Sequence, residues 1–316
     1  MDRAQKGRTH PLRWRLEAAG IGAAVGALHV LPERSALAVG ASVGRGFAYL
    51  DTHGCRLARA NIALVFPNWS DAEREDLLRT SFAELGRGAA EWARLSALSP
   101  REVKARVEIR GLEHLEKALA EGRGALIATA HYGCWELMLR AVGVALSERE
   151  VTAVGRAQPN PYLQRMVSRR RNLGGSRPLA QDARSILRAL RRNATIGVLA
   201  DHYLSQKRGG LLVPFLGTPA WSNPGPATLA LRTGCPLLLA HTYRLGGSRH
   251  RIELKPWSEL PTSGERKANI AALTAQINED IGRLIRRQPE HWLWATRRWR
   301  ASPDVDSDLY GTRRHR

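Results

Sequence analysis

Three cysteines in 316 residues, Cys55, Cys134 and Cys235, are odd in number and far apart, with no C-x-x-C pair. That argues against a disulfide framework and against a zinc site. They read as free thiols of a reducing cytosol. No serine occupies a G-x-S-x-G turn, which disfavours a serine hydrolase. Helix-turn-helix, aromatic RNA-binding and zinc-module signatures are absent too, so nucleic acid is not the expected partner. Internal repeats are lacking, and the only low-complexity stretch is a polar tail after Pro303. Acidic residues are scarce: 29 Asp and Glu stand against 49 Lys and Arg, for a net charge of +20.

What is present starts with that positive charge, which favours an anionic partner such as a membrane surface or an acidic protein. The arginines are spread along the chain, except for the run Arg169-Arg170-Arg171 and the tail residues Arg313, Arg314 and Arg316. Residues 1–15 are basic and lead into an apolar run from Ala18 to Leu31. That run is shorter than the ~20 residues needed to span a bilayer. It has the outline of a signal peptide. However, it is rich in Gly and Ala, and no small-x-small cleavage site precedes Pro32. Segment 1–31 is therefore expected to be an uncleaved membrane-associating helix at the interface, with Trp14 and the arginines at headgroup level. A buried core helix is the alternative.

The remainder divides into a helical part, 32–100, an α/β part, 101–300, and a polar tail, 301–316. Helical periodicity fills residues 12–98: Leu77, Leu78, Phe82, Leu85, Ala89 and Trp92 share a face, Ser70 and Asp71 are candidate N-caps, and Ser99-Pro100 marks a stop. Past Gly111 short apolar runs alternate with helical segments. Strands are expected at 125–130, 151–155, 195–200, 235–245 and 251–257, the last two pairing. Helices are expected at 135–146, 161–171, 183–192, 226–233 and 265–287. That alternation predicts an α/β fold with a mostly parallel central sheet flanked by helices.

The segment with the most chemistry is Ala128-Thr129-Ala130-His131-Tyr132-Gly133-Cys134-Trp135-Glu136. Positions five apart on one helix diverge by about 140°. His131 and Glu136 therefore meet only if His131 sits in the turn between a strand and the next helix. A histidine held by a carboxylate is an apparatus for taking a proton from a hydroxyl, and strand carboxyl ends are where open α/β sheets bind ligands. A strand-end His with an incidental Glu is the plain alternative.

Around this motif the chain resembles the bacterial lipid A late acyltransferases, the lauroyl/myristoyl family within the lysophospholipid-acyltransferase-like superfamily. The resemblance runs from about Arg59 to Arg300. It is carried by Asn61, Phe66-Pro67, Gly86-Arg87, Glu91 and Gly111-Leu112-Glu113, and by His131 with Glu136. It continues through Arg156, Asn160-Pro161, Arg170, Asp201, Gly209-Gly210 and Val213-Pro214-Phe215-Leu216-Gly217. Pro289-Glu290-His291-Trp292-Leu293-Trp294 and Arg297-Arg298-Trp299 complete it. Departures from the family pattern are Cys134, His202, Leu216, Trp221-Ser222 and Thr296.

The resemblance implies an O-acyltransferase at the cytoplasmic face of a bacterial inner membrane. It would move an acyl chain from an acyl-carrier-protein (or CoA) thioester to a hydroxyl of a lipid A precursor, directly and without metal or organic cofactor. The alternatives are another glycolipid acceptor, such as a phosphatidylinositol mannoside, or an inactive basic binding protein. His131 with Glu136 would be catalytic. Arg156 and Arg170 are candidates for a phosphate or pantetheine grip, and Asp201 would hold Arg170 or support the site. Backbone N–H groups of Val213 to Gly217 are candidates for an oxyanion role. Trp292, Trp294 and Trp299 are expected in the core or at a membrane interface.

Overall fold

Ser70 opens the longest helix of the N-terminal part: its side chain accepts from the Glu73 N–H while the Glu73 carboxylate accepts from the Ser70 N–H. Such a capping box satisfies two otherwise orphaned donors. The computed structural model describes residues 11–50, 52–155, 158–173, 177–179, 182–257, 260–261, 264–306 and 309–310. Five helices come first: α1 (Pro11–Val30), α2 (Glu33–Phe47), α3 (His53–Val65), α4 (Asp71–Leu95) and α5 (Pro100–Arg106). Ser99-Pro100, read as a stop, is the start of α5, because Ser99 and Glu102 form a second capping box.

Alternation follows with β1 (Val107–Arg110), α6 (Leu112–Ala120), β2 (Ala125–Thr129), α7 (Trp135–Ala145), β3 (Val151–Val154), α8 (Pro161–Leu173), β4 (Arg177–Leu179), α9 (Ala183–Arg191) and β5 (Thr195–Leu199). A hairpin, β6 (Leu211–Phe215) and β7 (Thr218–Ser222), precedes α10 (Gly225–Thr233), β8 (Leu237–Gly246), β9 (Arg249–Pro256) and α11 (Arg266–Arg287). The main sheet has the order β1-β9-β8-β2-β5-β3-β4. Every pairing in it is parallel except β8 with β9.

All five residues of β2 are buried, as a central parallel strand requires. Its side chains alternate between faces. Leu126 and Ala128 join the core that holds Ile196, Phe215 and Trp292, while Ala125 and Ile127 join the one that holds Leu137, Met138 and Leu238. Val213 to Gly217, read as a possible oxyanion loop, instead forms β6 and the turn to β7. Its backbone is paired along that ladder, and Leu216 and Gly217 make the turn at φ 53° and 89°.

In α1 one residue, Val25, is buried; Leu12, Leu16 and Val30 are exposed, so it is not the core helix of the alternative reading. No described helix is long and apolar enough to cross a membrane. Arg94 of α4 donates to the Leu28, His29 and Leu31 carbonyls, a cationic cap on the carbonyl end of α1.

Helices α2 and α4 touch backbone to backbone. A Cβ on Gly40 would fall 2.4 Å from the Gly86 carbonyl oxygen, and one on Gly44 would fall 2.0 Å from that of Phe82. Only glycine allows this approach. Overpacking costs typically 1–3 kcal/mol, so Gly44→Ala is expected to lower stability by about that much, read as a lower urea midpoint at unchanged slope.

Candidate active site

Parallel register builds the site. Thr129, the last residue of β2, lies beside Leu199, the last of β5, and two residues beyond each strand stand His131 and Asp201. The Ala200 N–H donates to the Thr129 carbonyl at 2.7 Å, which keeps the two chains together past the strand ends. The His131 turn is then fixed by the segment after α11. The Gly133 N–H donates to the His291 carbonyl (2.8 Å), and the Leu293 N–H to the His131 carbonyl (3.0 Å). Gly133, at φ 59°, lies so close to β8 that a Cβ would sit 2.0 Å from the Thr242 carbonyl oxygen.

Asp201 is 5% exposed and all its strong hydrogen bonds run to the site. Its Oδ1 is 2.9 Å from His131 Nδ1. Its Oδ2 accepts from the His131 backbone N–H at 3.0 Å and from the Trp292 indole N–H at 2.9 Å. Burial pushes the Asp201 pKa up, but the His131 charge and hydrogen bond, His202 and the Trp292 donor outweigh it and hold the carboxyl well below its usual range. Burial likewise opposes the His131 imidazolium. Asp201, by charge and hydrogen bond, and Glu136, by charge, overcome that and raise the His131 pKa above 6.5.

This geometry corrects two assignments. The carboxylate on the His131 ring is Asp201, not Glu136. Glu136, in the first turn of α7, instead pairs with Arg171 through both its oxygens. Asp201 in turn does not hold Arg170. The Arg170 guanidinium lies over Trp92 at 5.2 Å, and its buried Nε has no hydrogen-bond partner among the described residues. Burial, then Arg169, lowers its pKa. Arg156 lies outside the described residues.

Sequence reasoning gave three neighbours no part in holding the pair. Trp292 supplies the third donor to Asp201. Arg171, in a run read as generally basic, is the one that meets Glu136. His202 sets its ring 4.3 Å from that of His131, and burial with the His131 charge lowers its pKa. Only the register of β2 on β5 brings His202 there. Trp292, Trp294 and Trp299 are all core residues; Trp292 stacks edge-on to Trp294 and tilts over Phe215.

Beside the turn opens a cleft of about 330 Å³, lined mostly by apolar surface. Leu85 and Trp92 of α4, Trp135 and Glu136 of α7, Val167 and Arg171 of α8, and Leu293 contribute. His131 is not itself in this lining; its ring meets that of Trp135 at 5.1 Å, at the cleft edge. Opposite, Arg244 bridges Glu84 and Glu91 of α4, and His250 donates or accepts at 2.8 Å on Glu91. Burial would raise the Glu91 pKa; His250 and Arg244 reverse that and bring it to about 2. Among the described residues no group of three His, Cys, Asp or Glu is placed to hold a metal ion.

A buried Asp–His pair thus stands beside an apolar cleft at the carboxyl end of a parallel sheet. The profile of the family described as bacterial lipid A biosynthesis acyltransferase matches residues 2–301. The chain belongs to this family. It is an acyltransferase. Phosphatidylinositol mannoside acyltransferase of Mycobacterium tuberculosis (strain H37Rv) is 30% identical over 289 residues, covering 87% of this chain and 86% of its own. Lipid A biosynthesis palmitoleoyltransferase of Escherichia coli (strain K12) is 26% identical over 258 residues, 80% of this chain and 81% of its own. The lauroyltransferase of the same strain is 22% identical over 251 residues, covering 79% and 80%.

The Asp201 charge raises the His131 pKa, so Asp201→Asn should lower the imidazole midpoint seen by NMR titration. The sign on stability follows from linkage. The raised His131 contributes stability fully below its unfolded value, about 6.5, and loses it as pH rises through the folded value. The depressed Asp201 contributes above about 3.9 and loses it as pH falls. The contribution of the pair should therefore be greatest between these limits and fall off on either side, read as the difference in urea midpoint between wild type and Asp201→Asn across pH.

Proposed function

We propose that this chain transfers a fatty acyl group from a carrier-protein or CoA thioester directly to a hydroxyl of a glycolipid, with His131 as general base and Asp201 as its orienting partner. The observation that carries this is the Asp201 carboxylate on His131 Nδ1. It fixes the tautomer with the proton on Nδ1 and leaves Nε2 as the basic atom. Nε2 takes the proton of the acceptor hydroxyl, and that oxygen attacks the thioester carbonyl. The carbon–sulfur bond then breaks, and the imidazolium returns its proton to the departing thiolate. Asp201 stabilises the imidazolium between the two transfers. No acyl-enzyme is needed.

Glu136 and Arg171 contribute as a pair at the cleft wall. Glu136 adds negative potential at His131, and Arg171 fixes where that carboxylate lies. The apolar surface of Leu85, Trp92, Trp135, Val167 and Leu293 suits the acyl chain, whose transfer from water gains about 0.8 kcal/mol per buried methylene. Arg170, half-buried and stacked on Trp92 near this wall, stays a candidate for a phosphate of donor or acceptor. The same role for Arg156 rests on the resemblance. The acceptor class follows the relatives, which are named for lipid A and for phosphatidylinositol mannoside.

Membrane attachment belongs to the same reading. Leu12, Leu16 and Val30 of α1 and Val39, Val43 and Phe47 of α2 are 44–81% exposed, beside Arg13 and Arg15. An apolar face with basic flanks suits an anionic bilayer surface, at the cytoplasmic side of a bacterial inner membrane. Helix α1 is also tied to α8, the helix of Arg171. Asn160 donates to the Trp14 carbonyl and to Glu17, and Arg15 donates to the Tyr162 hydroxyl. A lipid acceptor at the surface is thereby brought to the cleft.

Purified protein incubated with acyl-carrier and CoA donors and with both glycolipid acceptors, followed by mass spectrometry, tests the activity. His131→Ala should lower transfer by about 10²–10⁴-fold, the usual worth of general base catalysis, at unchanged circular dichroism; wild-type turnover would overturn the mechanism. Leu16→Glu combined with Val43→Glu should move the protein from floated anionic vesicles to the soluble fraction. Undiminished flotation would place the attachment elsewhere.

A further inference from the structure

We propose that Gly88 sets the length of acyl chain the cleft accepts, an inference that rests on the cleft holding that chain. Helix α4 carries two glycines in its interior, Gly86 and Gly88, and glycine destabilises a helix interior relative to alanine. Gly86 has a packing reason: a Cβ there would lie 2.0 Å from the Gly40 carbonyl oxygen, where α2 crosses. Gly88 has none. A Cβ there meets nothing within 4 Å.

The empty space belongs to the cleft. Gly88 lines it together with Leu85, Ala89 and Trp92 of the same helix, facing Trp135 and Val167. Small groups at 88 and 89 thus hollow the α4 wall between the bulkier Leu85 and Trp92. A leucine at 88 would occupy room for about four methylenes of ligand. The side chain would be lodged where chain now goes, while helix propensity would improve. Substitution therefore separates two functions that usually fall together, stability and use of long donors.

The test uses the full-length protein, its glycolipid acceptor and an equimolar mixture of saturated acyl thioesters of graded length, with products resolved by mass spectrometry. Gly88→Ala and Gly88→Leu are compared with wild type, and binding of free saturated fatty acids is followed by tryptophan fluorescence. The expected result is a stepwise move of both preferences to shorter chains, Leu beyond Ala. The long-to-short ratio of kcat/KM in Gly88→Leu should fall by at least about tenfold, the effect of about two methylenes lost from the cleft. The loss should grow with donor length, and the Gly88→Ala Tm should match or exceed wild type. Should Gly88→Leu fold poorly, Gly88→Ala alone must still show the shift. An unchanged length profile in an active variant, or an equal loss at every length, overturns the proposal and leaves the transferase reading standing. Wild-type protein that transfers no acyl group would instead sink that reading, before any variant is made.

Discussion

One buried carboxylate organises the carboxyl end of the central sheet. Removing an ionised Asp from water is costly unless its oxygens are matched by donors, and Asp201 draws its donors from separate parts of the chain. Two come from His131, one through its backbone and one through its ring; the third is the Trp292 indole. Satisfying the charge therefore requires β2 and β5 to be adjacent, the His131 turn to be closed, and the segment after α11 to lie against it. Chemistry and folding ask for the same arrangement. The His131 imidazole is the partner that the buried charge selects.

A second constraint shapes the cleft. Helix α4 faces α2 across a contact that only glycine permits, and meets Arg244 and His250 through Glu84 and Glu91. Glu84, Arg244 and His250 themselves line the cleft, beside Leu85, Gly88 and Trp92 of the same helix. The exposed apolar residues of α1 and α2 lie outside this frame and take no part in the core. The exposed apolar residues and the cleft wall thus lie on different faces of the same helical layer.

Much of the fold was legible because its signals are local. The apolar run 125–129, the helical spacing of Leu77, Leu78 and Phe82, and the Ser70 cap each act within a few residues. The position of His131 in a strand-to-helix turn followed from the same kind of evidence. Its true partner did not. Glu136 is five residues away in sequence, whereas Asp201 is seventy, and only the order of strands in the sheet makes it the neighbour. Trp292 is further still, and its aromatic run reads equally as core. The hairpin β6–β7 was hidden by Pro214, Gly217 and Pro219, which break the strand pattern although an isolated two-stranded ribbon tolerates them. Strand β1 continues directly from α5, so no turn residue announces it.

The bridge between Tyr132 and Trp292 joins the His131 turn to a segment 160 residues further along the chain. On a ribosome the chain leaves from its N-terminus, so the apolar faces of α1 and α2 emerge long before the residues that close this turn. A nascent chain could meet a bilayer while Asp201 still lacks the Trp292 donor and His131 is unrestrained. Closure of the His131 turn would then come only after the segment that follows α11 is made and docked.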